Sequence, residues 1–177
     1  GFPIEIVAGH EEARLIYLGV AHAVPGMKGR TLVVDIGGGS TEIIVGAGFE
    51  PLRLESLYMG CVGHSKAFFG DAKISAKRYA EAELAAATEL QTISGPLAKE
   101  RWQQAVGSSG TARAIAEMLL QNGWAETGIS ASGLAKLRKA LIKAGDVRKL
   151  DIAGLSADRR PVIAGGVAIM TAVFDAL

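Results

Sequence analysis

Between residues 31 and 59, three β-like runs follow one another with connections too short to hold a helix. Thr31 to Ile36, Glu42 to Val45 and Pro51 to Met59 are joined only by GGGS and GAGFE. A parallel pair of strands needs a crossover of about a dozen residues or more, so runs joined this tightly form antiparallel hairpins. The rest of the chain is dominated by helical patterns. The expectation is an α/β fold, a mixed sheet flanked by helices, in one domain over residues 1–177.

Along the chain, Ile4 to Val7 reads as a short strand. His10-Glu11-Glu12 opens a helix in which Ala13, Ile16, Tyr17 and Val20 recur at helical spacing. VPGMKG at 24–29 is a turn by its Pro and Gly content. After Gly60 the pattern turns helical, and Ser75 to about Ile93 is rich in the helix formers Ala, Glu, Lys and Leu. Gln104 to Val106 reads as a strand. Ala112, Ile115, Ala116, Leu119 and Leu120 read as one helix face. Ser132 to Ala144 is a further helix, LDIAGLSADR a loop with a short helix, and Arg159 to Leu177 an apolar helix. The uncharged run Val162 to Phe174 falls short of the about 20 residues that span a bilayer, so it reads as a buried helix and no membrane span is expected.

With 49% hydrophobic and 21% charged residues over 177 positions, the chain can bury a core of its own. A net charge of +1 gives no basis for a nucleic-acid partner. Cys61 is the only cysteine, which excludes an internal disulfide and fits a reducing, cytoplasmic compartment. No signal peptide is visible. The absence of an initiator methionine before the strand-like GFPIEIVAG suggests a piece of a longer protein.

Glycine accounts for 23 of the 177 residues, against a usual proportion of roughly 7%. Two loops concentrate the question of why. GGGST (37–41) lies between two β-like runs, and GSSGT (107–111) lies between a strand and a helix. Loops of Gly, Ser and Thr leave backbone N–H groups unpaired and let a ligand come close. A following helix adds partial positive charge at its N-terminus. Asp35 and Glu42 bracket the first loop, and facing carboxylates beside a phosphate-binding turn suggest Mg²⁺. Ordinary turn chemistry explains either loop alone; two such loops with bracketing acids favour phosphate binding.

DIGGGSTEIIVG and GSSGTARA resemble the phosphate loops of the actin-like ATPase and sugar kinase superfamily. In order along the chain, PIEIVAGHEEARLIYLGV, LVVDIGGGSTEIIVG, LESLYMGCVGHSKAFF, AVGSSGTARAIAEML and RPVIAGGVAIMTAVFDAL resemble the exopolyphosphatase / guanosine pentaphosphate phosphohydrolase family. The resemblance implies a ribonuclease H-like domain that forms the second half of a two-domain catalytic unit. The first half, with its own D-x-G-S-N loop, is absent from this sequence. Longer family members are expected to dimerise.

The resemblance also implies roles. Glu12 matches the residue regarded as catalytic, which orients or deprotonates the attacking water; without it, Glu11 and Glu12 would only complement a helix dipole. Asp35 and Glu42 match positions linked to Mg²⁺. Gly37, Gly38, Gly39, Ser40 and Thr41 would cradle one phosphate, and Gly107, Ser108, Ser109, Gly110 and Thr111 another part of the substrate. Gly165 and Gly166 either meet a ligand through their backbone or allow close helix packing. Arg14 pairs with a phosphate or with Glu11. His10, His22 and His64 lack metal-ligand spacing and read as surface or turn residues, and Cys61 as a small buried apolar residue. Lys136, Arg138, Lys139 and Lys143 read as a solvated helix side or as an attractor for a polyanion.

The implied function is release of terminal phosphate from inorganic polyphosphate or of the 5′-γ-phosphate of guanosine pentaphosphate, with Mg²⁺. The other reading is a non-catalytic module that senses nucleotide or polyphosphate, against which intact Glu12, Asp35 and Glu42 argue. A kinase or chaperone-type ATPase rests on the shared loops alone. Alone, this chain is expected to fold but not to turn over substrate, because half of the positioning groups would lie in the other domain.

Overall fold

The GGGS connection closes a hairpin, and the sheet grows outward from it. The structure, a computed structural model, describes residues 6–27, 29–98 and 100–177. A first helix α1 (Gly9–Ala23) precedes the strands β1 (Arg30–Ile36), β2 (Thr41–Ala47) and β3 (Glu50–Leu57). Helices α2 (Cys61–Phe69) and α3 (Ala76–Ala98) lead to β4 (Gln104–Gly107), followed by α4 (Gly110–Gln121), α5 (Ala131–Ala144) and α6 (Ile163–Ala176). The sheet order is β3-β2-β1-β4. β1 pairs antiparallel with β2, and β2 with β3, whereas β1 and β4 run parallel. The parallel partner is reached through α2 and α3, the long crossover that parallel pairing demands.

Successive strand residues point to opposite faces, and here both faces are covered. Leu32, Val34, Ile36, Ile43 and Val45 enter the larger core with α2 to α6. Val33 and Ile44 face the other way, onto Ala13, Tyr17 and Val20 of α1. That is why the two strands read as nearly continuous apolar runs rather than alternating ones. α6 is apolar on every side because it is buried on every side: Ile163 through Met170 are all buried.

α1 is seated by one close approach. Tyr17 is fully buried, and a Cβ built on Gly46 would lie 2.2 Å from its ring. The phenol donates to Gly48 O at 3.0 Å. Any side chain at 46 would lift α1 from the sheet, and the residues α1 carries with it.

The fold departs from the sequence reading in several places. Ile4 of the expected first strand lies outside the described residues, and Ile6 and Val7 are exposed and carry no strand. The last helix begins at Ile163 rather than Arg159, because Arg160 precedes Pro161 and is biased away from helical geometry. Leu120 is 55% exposed, and Met118 takes its place beside Ala112, Ile115 and Leu119, since neighbouring helix positions point about 100° apart. His64 is not a surface residue. It is buried on α2, with Nε2 2.9 Å from Ala82 O, and burial holds its pKa below the usual histidine range. Cys61 is buried as expected.

Candidate functional site

One rung of the sheet carries four polar residues on the α1 face. Asp35 sits opposite Glu42, and Glu42 opposite Ser56. The last β1–β4 pair is Val34 with Gly107, so Ser108 follows beside Asp35, held by its N–H to Val34 O at 3.1 Å. The outer hydroxyls each donate inward. Ser108 Oγ reaches Asp35 Oδ2 at 2.6 Å and Ser56 Oγ reaches Glu42 Oε1 at 2.9 Å. Two carboxylates thus stand side by side on adjacent strands, each with one oxygen committed to a serine.

Glu42 is only 1% exposed. Burial pushes its pKa up; the Ser40 and Ser56 hydroxyls pull it partly back, and the charges of Glu12 and Asp35 push it up again. The same interactions bring α1 into the site. Glu12 is exposed in the first turn of α1 and lines a concavity with Gly9, His10, Ser40, Ser56 and Tyr58. Glu11 turns away and holds Arg14 in a two-pronged pair of 2.7 and 2.8 Å, so Arg14 is committed to its own helix.

A raised carboxyl pKa has a stability consequence. Neutral Glu42 is the form the fold favours. Its contribution is complete below the unfolded value of about 4.3 and is lost as pH rises through the raised folded value. Glu42→Gln is therefore expected to melt higher than the parent at pH 7 in metal-free buffer, with the difference vanishing near pH 3. Thermal melts at the two pH values check this, and a variant no more stable at pH 7 contradicts it.

The glycine loop is held from one side only. Gly37 N–H donates to Ser40 O at 2.9 Å and closes the turn. Gly37 O accepts from Cys61 N–H at 2.9 Å, and Gly38 O from Val62 N–H at 3.0 Å, so the loop's carbonyls satisfy the first amides of α2. The Gly38 and Gly39 amides find no acceptor among the described residues. None of the three glycines has a left-handed backbone. A Cβ on Gly37 would lie 3.2 Å from Ser40 O, but one on Gly39 would meet no atom within 4 Å. Neither backbone conformation nor protein packing asks for glycine at 39. Thr41 is buried, with its hydroxyl donating to Met59 O at 2.5 Å, so its side chain serves the fold.

In the second loop the side chains are likewise engaged by protein. Ser108 holds Asp35. Ser109 caps α4 by accepting from Ala112 N–H at 3.1 Å. Thr111 ties the loop to β1 through Ile36 O at 3.0 Å. Cβ atoms on Gly107 and Gly110 would each lie 2.6 Å from a neighbour, Ala112 Cβ and the Arg159 guanidinium. The Ser109, Gly110 and Thr111 amides have no acceptor among the described residues, so what this loop offers an anion is backbone rather than hydroxyl.

The surroundings of Gly165 and Gly166 are closely packed. Both are buried within α6, and Cβ atoms there would lie 2.6 Å from Ser65 N of α2 and 2.5 Å from Thr111 Cγ2. Arg138 is tied to Glu83 at 2.8 and 2.9 Å and lies 5.2 Å from the centre of the Tyr79 ring, whereas Lys136, Lys139 and Lys143 are exposed. Ser56 escaped the sequence reading; only its register opposite Glu42 reveals it.

Among the described residues no three His, Cys, Asp or Glu side chains cluster as a metal cage. The Asp35–Glu42 pair fits a cation of another kind. Mg²⁺ is held through one or two carboxylates, with waters and substrate phosphates completing its shell.

A profile of the Ppx/GppA phosphatase family matches residues 1–177. Among solved structures, the chain is similar to the type II variant of the Aquifex aeolicus Ppx/GppA phosphatase, at 22% identity and a TM-score of 0.76, covering 96% of this chain and 57% of that one. It is also similar to an exopolyphosphatase from Cytophaga hutchinsonii, at 27% identity and a TM-score of 0.80, covering 98% of this chain and 58% of that one. The chain therefore spans less than two thirds of the length of either, and its fold is theirs: a mixed sheet flanked by helices, of the actin-like ATPase type.

Proposed function

Because the chain belongs to the Ppx/GppA phosphatase family, we propose that it supplies one wall of the active site of a phosphoanhydride hydrolase. The substrate is inorganic polyphosphate, the 5′-γ-phosphate of guanosine pentaphosphate, or both. The observation that carries this reading is the tip at Gly38 and Gly39. Its amides find no acceptor among the described residues, a Cβ on Gly39 would meet nothing within 4 Å, and the loop ends at Ser40, which lines one concavity with Glu12, beside the Asp35–Glu42 pair.

On this reading the Gly38 and Gly39 amides bind oxygens of the terminal phosphoryl group, and the backbone of residues 109–111 binds further along the substrate. Glu12, exposed and close to Glu42, orients a water and accepts its proton as it attacks in line. Asp35 and Glu42 would hold Mg²⁺, which supplies charge neutralisation at the phosphates. The protein works in the cytoplasm, and the catalytic cleft lies between this chain and the further part of the longer family members.

The test is a phosphate-release assay with Mg²⁺ on polyphosphate and guanosine pentaphosphate, using the full-length protein and this chain alone. Release by the full-length protein, with the chain alone at least about tenfold slower, supports the reading; tenfold corresponds to ~1.4 kcal/mol of barrier. Tight binding of either substrate without release would favour a sensing module instead. Rates from the chain alone within tenfold of full length would mean that it holds the whole site.

A further inference from the structure

We infer that Ser56, which the sequence does not single out, is a positioning residue for Glu42, the counterpart on β3 of Ser108 beside Asp35. The inference rests on the hydrolase reading for its catalytic consequence and on geometry alone for its structural one. Ser108, Asp35, Glu42 and Ser56 occupy four neighbouring places on one rung. Hydroxyls stand at the two ends, and each donates to the carboxylate next to it, at 2.6 and 2.9 Å.

The consequence is a division of labour between oxygens. A carboxylate on a flexible side chain can turn either oxygen toward a ligand. Ser56 commits Glu42 Oε1 and, together with the Ser40 hydroxyl, restricts the turn of the carboxylate; Ser108 engages Asp35 through Oδ2 in the same way. Such preorientation matters because phosphoryl transfer depends on donors and charges already in position. Ser56 also borders the helix that carries Glu12. A Cβ on Gly9 would lie 2.7 Å from Ser56 Oγ, so α1 enters over this serine with no room for a side chain between them. One small hydroxyl residue thus touches the elements that carry both Glu12 and Glu42. A larger residue at 56 would displace α1, and Ala would free the carboxylate.

Kinetics of the full-length protein and a crystal structure test the inference together. Ser56→Ala is expected to lower kcat about tenfold with KM within about twofold, because orientation at the reacting end is lost while most substrate contacts remain. In a Glu42→Gln background the same change should alter kcat by less than twofold, since Ser56 acts through Glu42. Losses that multiply in the double variant, or an unchanged kcat in Ser56→Ala, overturn the role. The crystal structure of Ser56→Ala should show the Glu42 carboxylate turned or in more than one orientation. A carboxylate unmoved from its parent orientation overturns the inference regardless of activity. Absence of phosphate release from the unaltered protein would defeat the hydrolase reading alone, and the carboxylate orientation would still decide the structural claim.

Discussion

Glu12→Gln is expected to lower phosphate release from polyphosphate by about a thousandfold in the full-length protein while leaving the melting temperature unchanged. A positioned general base contributes about 10²- to 10⁴-fold, and a thousandfold loss is ~4 kcal/mol of barrier. Stability should be spared because Glu12 is exposed and makes no side-chain hydrogen bond or ion pair among the described residues. Its neighbour provides the control. Glu11 is equally exposed and pairs with Arg14 on another side of α1, so Glu11→Gln should keep activity within about twofold and cost little stability, as expected of a solvent-screened surface pair. Steady-state kinetics and melting curves on both variants decide the matter. Equal losses from the two would mean that charge near the helix start matters, and that Glu12 is not the base.

Gly60→Ala is expected to destabilise the chain by about 3 kcal/mol, the upper end of ordinary overpacking, and to lower the melting temperature by roughly 6–12 °C. The cause is backbone against backbone. A Cβ at Gly60 would lie 2.3 Å from the carbonyl carbon and oxygen of Gly38 and 2.4 Å from Gly39 N. No side chain can rotate out of the way, so either α2 or the glycine loop must move. The hydrogen bonds from Cys61 and Val62 N–H to the loop carbonyls would stretch with it. Gly63, three residues on, is the contrast: a Cβ there meets nothing within 4 Å. Gly63→Ala should be neutral or mildly stabilising, because Ala is the better helix former by up to about 1 kcal/mol. A Gly60→Ala variant as stable as the parent would show that the loop and α2 yield freely. The cradle would then not be rigid.

These two positions differ in how they could be read. Glu12 stood out only through the resemblance of HEEARLIYLGV to a family; on composition alone it was one of two acids in a first helical turn. Gly60 lies within the family-like stretch LESLYMGCVGHSKAFF, but nothing there singles it out, and its constraint comes from residues 38 and 39 brought against it. The same holds for His64, whose lack of partners in sequence suggested a surface place. The packing of α2 buries it against Ala82. Nothing in the loops' sequence shows that the hydroxyls of Thr41, Ser109 and Thr111 serve Met59, the α4 N-terminus and Ile36.

What the chain's order of residues determined was local and periodic. Short connections, expected at four and five residues and found at four and two, forced the antiparallel ribbon. Two glycine loops placed backbone amides at strand ends, and the acids beside them were legible as a pair because a hairpin puts Asp35 and Glu42 opposite each other at short range. Tertiary structure decided what depends on the pairing register, irregular between β2 and β3, and on elements distant along the chain. It placed Ser56 and Ser108 at the ends of the carboxylate rung, brought α1 and Glu12 over β3, and packed Gly165 and Gly166 against Ser65 and Thr111. A strand side chain's hydrogen-bond partner is set by register across the sheet, and a one-residue slip of β3 would turn Ser56 to the opposite face, away from Glu42.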